Sequence, residues 1–333
     1  MKKLIKTTLQ KTLGKRSLGK LGMILGGVVI LSGTIAEADT FGSGSFVFSL
    51  HFVGVGNAGN ANDSGAGGGS YSSPYGGVPY DYRVGVNEIS QNVINAAVAG
   101  GLTGMPVGSW TGDRSSAGIT WFQAAGFVNW LNTSTGHQAA YQLNAELTAV
   151  LPWSSADAWQ EGGENVYRNK NAHYFMPNQD EWYKAAFHQN DGVTDNYWDF
   201  AIGSNSAPTG VASGTSEGTA VYKGVQQQAA SVLSAGGLSA YGTMGQGGNV
   251  GEWLDNPYDG PNPNSADLRW QTGGSYNNFE TQLRSSYMNN NLPTFAGPTL
   301  GFRVASVPEP SAVVLMIGAG VLALARRRTR AAL

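Results

Sequence analysis

Glycine supplies 48 of the 333 residues and cysteine none. So much glycine makes ordering the backbone costly and favours turns over long regular elements. The absence of cysteine rules out disulfides as a remedy. Burial must therefore hold the chain, and nine tryptophans, 14 tyrosines and 12 phenylalanines supply the means. Disordered chains are poor in aromatics, so the composition points to a loop-rich globular fold pinned by large side chains. It also excludes thiol nucleophiles, thiolate metal sites and redox pairs.

Regular elements are expected to be few. Residues 45–55 (SFVFSLHFVGV) and 80–86 (YDYRVGV) alternate loosely and are rich in β-branched and aromatic residues, which reads as two strands. The Gly/Asn/Ser-rich stretch 56–77 between them reads as loop. Ser90 caps a helix running to about Ala99, closed by Gly100 and Gly101. Thr120 caps a second, in which Trp121, Ala124, Ala125, Val128 and Leu131 share one face before Gly136. Asn178, just after Pro177, caps a short third helix from Glu181 to Phe187. Residues 190–237 read as loop apart from a strand near Thr219 to Tyr222, and short strands divided by Gly, Asn and Pro follow.

Four segments stand out against this background. Trp121 opens a stretch that ends in Asn129-Trp130-Leu131-Asn132. Phe175-Met176-Pro177-Asn178-Gln179-Asp180-Glu181-Trp182 is the second, and Gly247-Gly248-Asn249-Val250-Gly251-Glu252-Trp253 the third. The fourth is divided between Gly273-Gly274-Ser275-Tyr276, Leu283-Arg284-Ser285-Ser286 and Leu300-Gly301-Phe302-Arg303-Val304. In this order they resemble the W-x-x-A-x-x-[FY]-x-x-W-L, R-L-P-T-E-x-E-W, G-G-N-V-W-E-W, R-G-G-S-W, L-R-x-x-x-R and I-G-F-R-V motifs of the formylglycine-generating enzyme and sulfatase-modifying factor family. The resemblance covers roughly residues 45–305 and implies an α+β, C-type-lectin-like fold with little regular secondary structure. The residues make sense without the name. Trp182 and Trp253 are apolar payloads for an irregular core, and glycines beside Asn249 and Ser275 let the backbone approach closely. Arg303, between Phe302 and Val304, needs a carboxylate if buried, with Glu181 and Glu252 as candidates. All of these motif residues are read first as fold signatures.

The resemblance sets chemistry against residues. The family's oxidases bind copper through a cysteine pair near the L-R-x-x-x-R segment, whereas residues 282–291 here read QLRSSYMNNN. Hydroxyls do not hold soft copper(I) as thiolates do, so copper is not expected. Sulfoxide synthases of this fold use iron-binding histidines; the four histidines here (51, 137, 173 and 188) form no H-x3-H pair. Calcium is the cation the resemblance implies, with Gly248, Val250 and Glu252 carried over as ligands. Gly245 replaces the family's Asp or Asn, Gly251 its Trp, and Lys223 stands where a second site would have Asn. Neither a nucleophile triad nor a shared acid–base site is evident: Asp180 and Glu181 are adjacent on a helix and diverge. Asn289, Asn290 and Asn291, with Tyr276 and Tyr287, are candidates for a polar-aromatic groove suited to sugars or peptides, or a solvated loop.

The two ends concern transport. Seven of the first 20 residues are basic, an apolar stretch runs from Leu21 to Ile35, and Ala36-Glu37-Ala38 offers the small residues that signal peptidase reads; cleavage is expected after Ala38. At the other end Pro308-Glu309-Pro310 precedes a 14-residue apolar run, 312–325, and then Arg326-Arg327-Arg328. As a helix that run reaches about 21 Å, short of the roughly 30 Å bilayer core. The arrangement resembles the PEP-CTERM sorting signal, which implies an exosortase-type protease as partner and a tail that is discarded. Eleven of the 20 basic residues lie in these ends, leaving nine against 20 acidic residues between 39 and 305, a balance of −11. Such a domain repels nucleic acid.

The organisation expected is a signal peptide at 1–38, a sulfatase-modifying factor-like domain at 39–305 and a sorting signal at 306–333. The function expected is that of a non-catalytic surface or matrix module binding an extracellular polysaccharide, a peptide or a protein partner. The alternative is a formylglycine-generating-type oxidase with non-cysteine metal ligands. A receptor diversified between residues 276 and 299 is a further reading.

Overall fold

A computed structural model describes residues 36–65, 75–106, 110–160, 165–258 and 264–308. The basic N-terminal segment before Ala36, together with Glu309, Pro310 and Arg326, Arg327 and Arg328, lies outside the described residues. In chain order the strands are β1 (Glu37–Phe41), β2 (Phe48–Val55), β3 (Tyr82–Gly85), β4 (Gln142–Leu143), β5 (Val150–Leu151), β6 (Ala158–Trp159), β7 (Asn165–Asn169) and β8 (Tyr174–Phe175). There follow β9 (Thr209–Gly210), β10 (Thr219–Ala220), β11 (Gly251–Pro257), β12 (Arg269–Thr272), β13 (Asn289–Asn291), β14 (Leu300–Gly301) and β15 (Ala305–Ser306). The helices are α1 (Gln91–Ala99), α2 (Trp121–Ser134) and α3 (Gln179–Phe187). Most strands span two to five residues, the pattern that glycine-rich sequence dictates.

Each helix begins where its cap predicts. Ser90 Oγ accepts from Val93 N at 3.3 Å. Thr120 and Gln123, and likewise Asn178 and Glu181, form reciprocal capping boxes. Two sheets dominate. One has five strands in the order β1-β2-β3-β15-β8, all antiparallel; the other runs β13-β12-β11-β14, with β11 and β14 parallel. The strand expected at Thr219–Tyr222 shortens to the two residues of β10, paired with β9. β1 was not foreseen: Glu37 and Ala38 pair with Phe52 and His51, so the expected cut after Ala38 falls inside it and would leave Asp39–Phe41 in place.

The core is built on α2, whose Phe122, Ala125, Phe127, Val128 and Leu131 are all buried. The fully buried tryptophans Trp121, Trp182 and Trp253 act as joints, each hiding its ring and donating its N–H to a distant element. Trp121 donates to Leu254 O at 2.8 Å and Trp253 to Ile119 O at 2.8 Å, tying α2 and the residue before its cap to β11. Phe302 meets Phe127 edge-on at 5.4 Å, and half-buried Trp130 stacks on Phe48 at 6.0 Å. Buried Asn132 donates to Tyr174 O and accepts from the backbone of His173 and Tyr174, fastening α2 to β8.

Candidate ligand-binding site

Alternation along β11 turns Glu252 away from the face used by Trp253 and into a fully buried position. There Arg303 meets it in a fork: Nη2 donates to Oε1 at 2.6 Å and Nε to Oε2 at 2.7 Å. Trp182 Nε1 donates to the same Oε2 at 2.7 Å. The remaining guanidinium hydrogens reach Gly85 O at 2.8 Å and Met244 O at 2.9 Å. Of the two carboxylates offered to Arg303, Glu252 is the partner. Glu181 belongs to another arginine: Arg168 donates to its two oxygens at 2.9 and 2.8 Å and to Asp255 at 2.5 Å.

Both Glu252 oxygens thus already accept from N–H donors of Arg303 and Trp182. Gly248 and Val250, the other two residues expected as ligands, belong to the turn that carries the strand in. Gly248 has φ +105°, and a β-carbon there would lie 2.4 Å from Val221 O, so only glycine fits. Asn249 also has positive φ, +56°, which asparagine tolerates. Its Oδ1 accepts from Ala230 N at 2.7 Å, and its Nδ2 donates to Ser115 Oγ at 2.6 Å and Glu88 at 2.5 Å.

Glu88 is the residue that motif reading missed. Its Oε1 accepts from Val250 N at 3.0 Å and its Oε2 from Asn249 and Ser115. Complete burial, with the charge of Glu252 nearby, pushes its carboxyl from 4.5 up to about 8. A β-carbon at Gly245 would come within 3.1 Å of that carboxylate, so Glu88 holds the space that a side chain at 245 would use. Its position two residues before the capping Ser90 gave no signal of this role.

Beyond the turn the four-stranded sheet lines a cavity of about 260 Å³. Gly251 from β11, with Gln271 and Thr272 from β12, forms one side, and Asn289 and Asn291 from β13 another. Ser275, Asn278, Gln282, Tyr287, Phe295 and Leu300 complete it. The expected groove is thus assembled in part: Tyr287, Asn289 and Asn291 line the cavity, whereas Tyr276 is buried against Trp110 at 6.4 Å. Ser275 Oγ donates to Asn278 Oδ1 at 2.7 Å, and Gly273 and Gly274 bring the chain in from β12. Arg284 stands apart, 3.3 Å from Asp199 and over the Phe200 ring. Gly251 decides the cavity's depth. A β-carbon there would meet nothing closer than 3.6 Å, so the missing side chain is space left open and not a steric necessity.

Residues 109–307 match the sulfatase-modifying factor enzyme 1-like domain, and residues 306–330 the PEP-CTERM protein-sorting motif. The chain belongs to the sulfatase-modifying factor family. The sulfatase-modifying factor fold is evident in solved structures as well. Treponema denticola variable protein 1 is 20% identical, with 82% of this chain and 99% of that one covered at a TM-score of 0.54. CarF is 19% identical over 78% of this chain and 99% of its own, at 0.51. PvdO from Pseudomonas aeruginosa, 14% identical, covers 81% and 98% at 0.48. Curated protein sequences include no match. The PEP-CTERM motif marks this sulfatase-modifying factor protein as exported, processed at the membrane and recognised by exosortase-type sorting machinery.

Proposed function

We propose that the exported domain binds a polar ligand, an extracellular polysaccharide or a peptide, in the cavity beside Gly251, and performs no chemistry on it. The observation that carries this reading is the lining. Apart from the Tyr287 phenol, every side chain named there is an amide, an aliphatic hydroxyl, an apolar group or glycine. Such a wall offers donors and acceptors for hydroxyls and amides, with aromatic edges for packing. It offers no charged acid–base pair. The alternative, an oxidase with non-cysteine ligands, is opposed by the same lining, because hydroxyls and amides are hard donors poorly suited to copper(I). The mature protein would act at the cell surface or outside the cell.

The test is a binding screen of the purified exported protein against extracellular polysaccharides and peptides, repeated with Gly251→Trp and Asn289→Ala. Gly251→Trp refills the cavity and should abolish binding with the melting temperature held; Asn289→Ala should weaken it. A ligand bound equally well by both variants would refute the assignment.

A further inference from the structure

The last strand of the domain and the first residues of the sorting signal are held by one arginine. Arg83 on β3, buried beneath the sheet surface, donates from Nε to Ser306 Oγ at 2.9 Å and to Val307 O at 3.3 Å. Its other nitrogens reach Asp39 at 2.7 and 3.1 Å. The Val307 N–H is fixed too, donating to His173 O at 3.0 Å. Both backbone polar groups of Val307 are therefore anchored, and Pro308, the first residue of Pro308-Glu309-Pro310, follows directly. No linker separates the folded domain from the motif.

Chain reach makes this consequential. Ala312, where the apolar run begins, is five residues beyond Val307, and an extended chain spans at most about 3.6 Å per residue, so roughly 18 Å in all. A folded domain of this length has a radius of gyration of about 18 Å. With the apolar run held at the membrane, the domain is pressed against whatever acts on the motif. The surface it presents there is not flat. Pro308 lines a cavity of about 510 Å³ with Tyr80, Trp159, Phe175, Asp81 and Lys170. Trp159 and Phe175 form its aromatic side, with the Arg168 guanidinium 4.6 Å from one ring and 4.0 Å from the other. Lys170 is exposed at the rim and donates to Ala156 O.

We propose that this face is a docking surface for the exosortase-type protease, and that the cavity receives a protruding enzyme segment bearing an apolar side chain next to an acidic one. The aromatic wall takes the apolar group and Lys170 the acid. The short tether supplies the high effective concentration that lets a modest pocket matter. Sorting would then read the folded domain together with the motif.

The test follows conversion of the full-length precursor to its shortened form in cells containing the sorting protease, by pulse-chase and mass measurement. Six Gly/Ser residues inserted between Val307 and Pro308 leave the domain and the motif intact but separate them. Conversion should slow by roughly tenfold, the loss of about 1.4 kcal/mol of docking. Lys170→Glu, an exposed change checked for an unaltered melting temperature, should slow it as well. Wild-type rates for both variants would overturn the proposal. So would faster conversion after the insertion, which would make the domain an obstacle to the protease.

Discussion

Glu252 and Arg303 are 51 positions apart in sequence and form a two-pronged ion pair in the core, 2.6 and 2.7 Å long, with neither side chain reaching solvent. β11 and the segment after β14 bring them together, so the pair reports on assembly of the whole second sheet. Removing one partner strands the other charge in a medium that cannot solvate it. Glu252→Gln should cost about 3–5 kcal/mol, read as a shift in the denaturant midpoint with an unchanged slope. Glu252→Gln combined with Arg303→Met should recover part of that loss, because the uncompensated charge is gone.

Calcium should leave this protein's stability as it is. The carboxylate that the family pattern offers to the cation is already used by Arg303 and Trp182. Melting curves in millimolar calcium and in excess chelator are expected to superimpose. A clear calcium-dependent rise in melting temperature would place an oxygen-rich site elsewhere in the chain.

Glu88 gives the fold a pH dependence of definite sign. Its carboxyl titrates near 8 when folded and near 4.5 as an ordinary carboxyl. Between those values the folded state keeps a proton that the unfolded chain has released. The stabilising contribution is complete below pH 4.5 and is lost as pH rises through 8. Melting temperature should therefore decline across this window in the native protein, and the Glu88 share of that slope should vanish in Glu88→Gln. Asn249→Ala removes a donor that favours the charged form, so it should shift the inflection higher, besides costing roughly 1–3 kcal/mol for lost buried hydrogen bonds.

How much of this was written in the sequence depends on distance along the chain. The three helices were legible because Ser90, Thr120 and Asn178 act on backbone within four residues of themselves. That Arg303 required a carboxylate was legible from its apolar neighbours, but choosing Glu252 over Glu181 was not, since each lies on an element whose packing is settled by other contacts. Arg168 was invisible for the same reason: its second partner, Asp255, is 87 residues away. β1 was missed because Glu37 and Ala38 look like a processing site, and a five-residue edge strand leaves too short an alternation to compete. The groove at Tyr287, Asn289 and Asn291 was half-read from composition. Its depth comes from Gly251, which the sequence shows only as a departure from a pattern.

The position of β15 bears on the order of events during export. It is the last strand among the described residues, yet it sits inside the five-stranded sheet, between β3 and β8, whose residues precede it by more than 200 and more than 100 positions. The sheet cannot close until Ala305 and Ser306 have been made, and the apolar segment follows within a few residues. A chain truncated by translational error before Ala305 would lack both the closing strand and the sorting signal. Closure of the fold and arrival of the sorting signal thus fall within a few residues of each other.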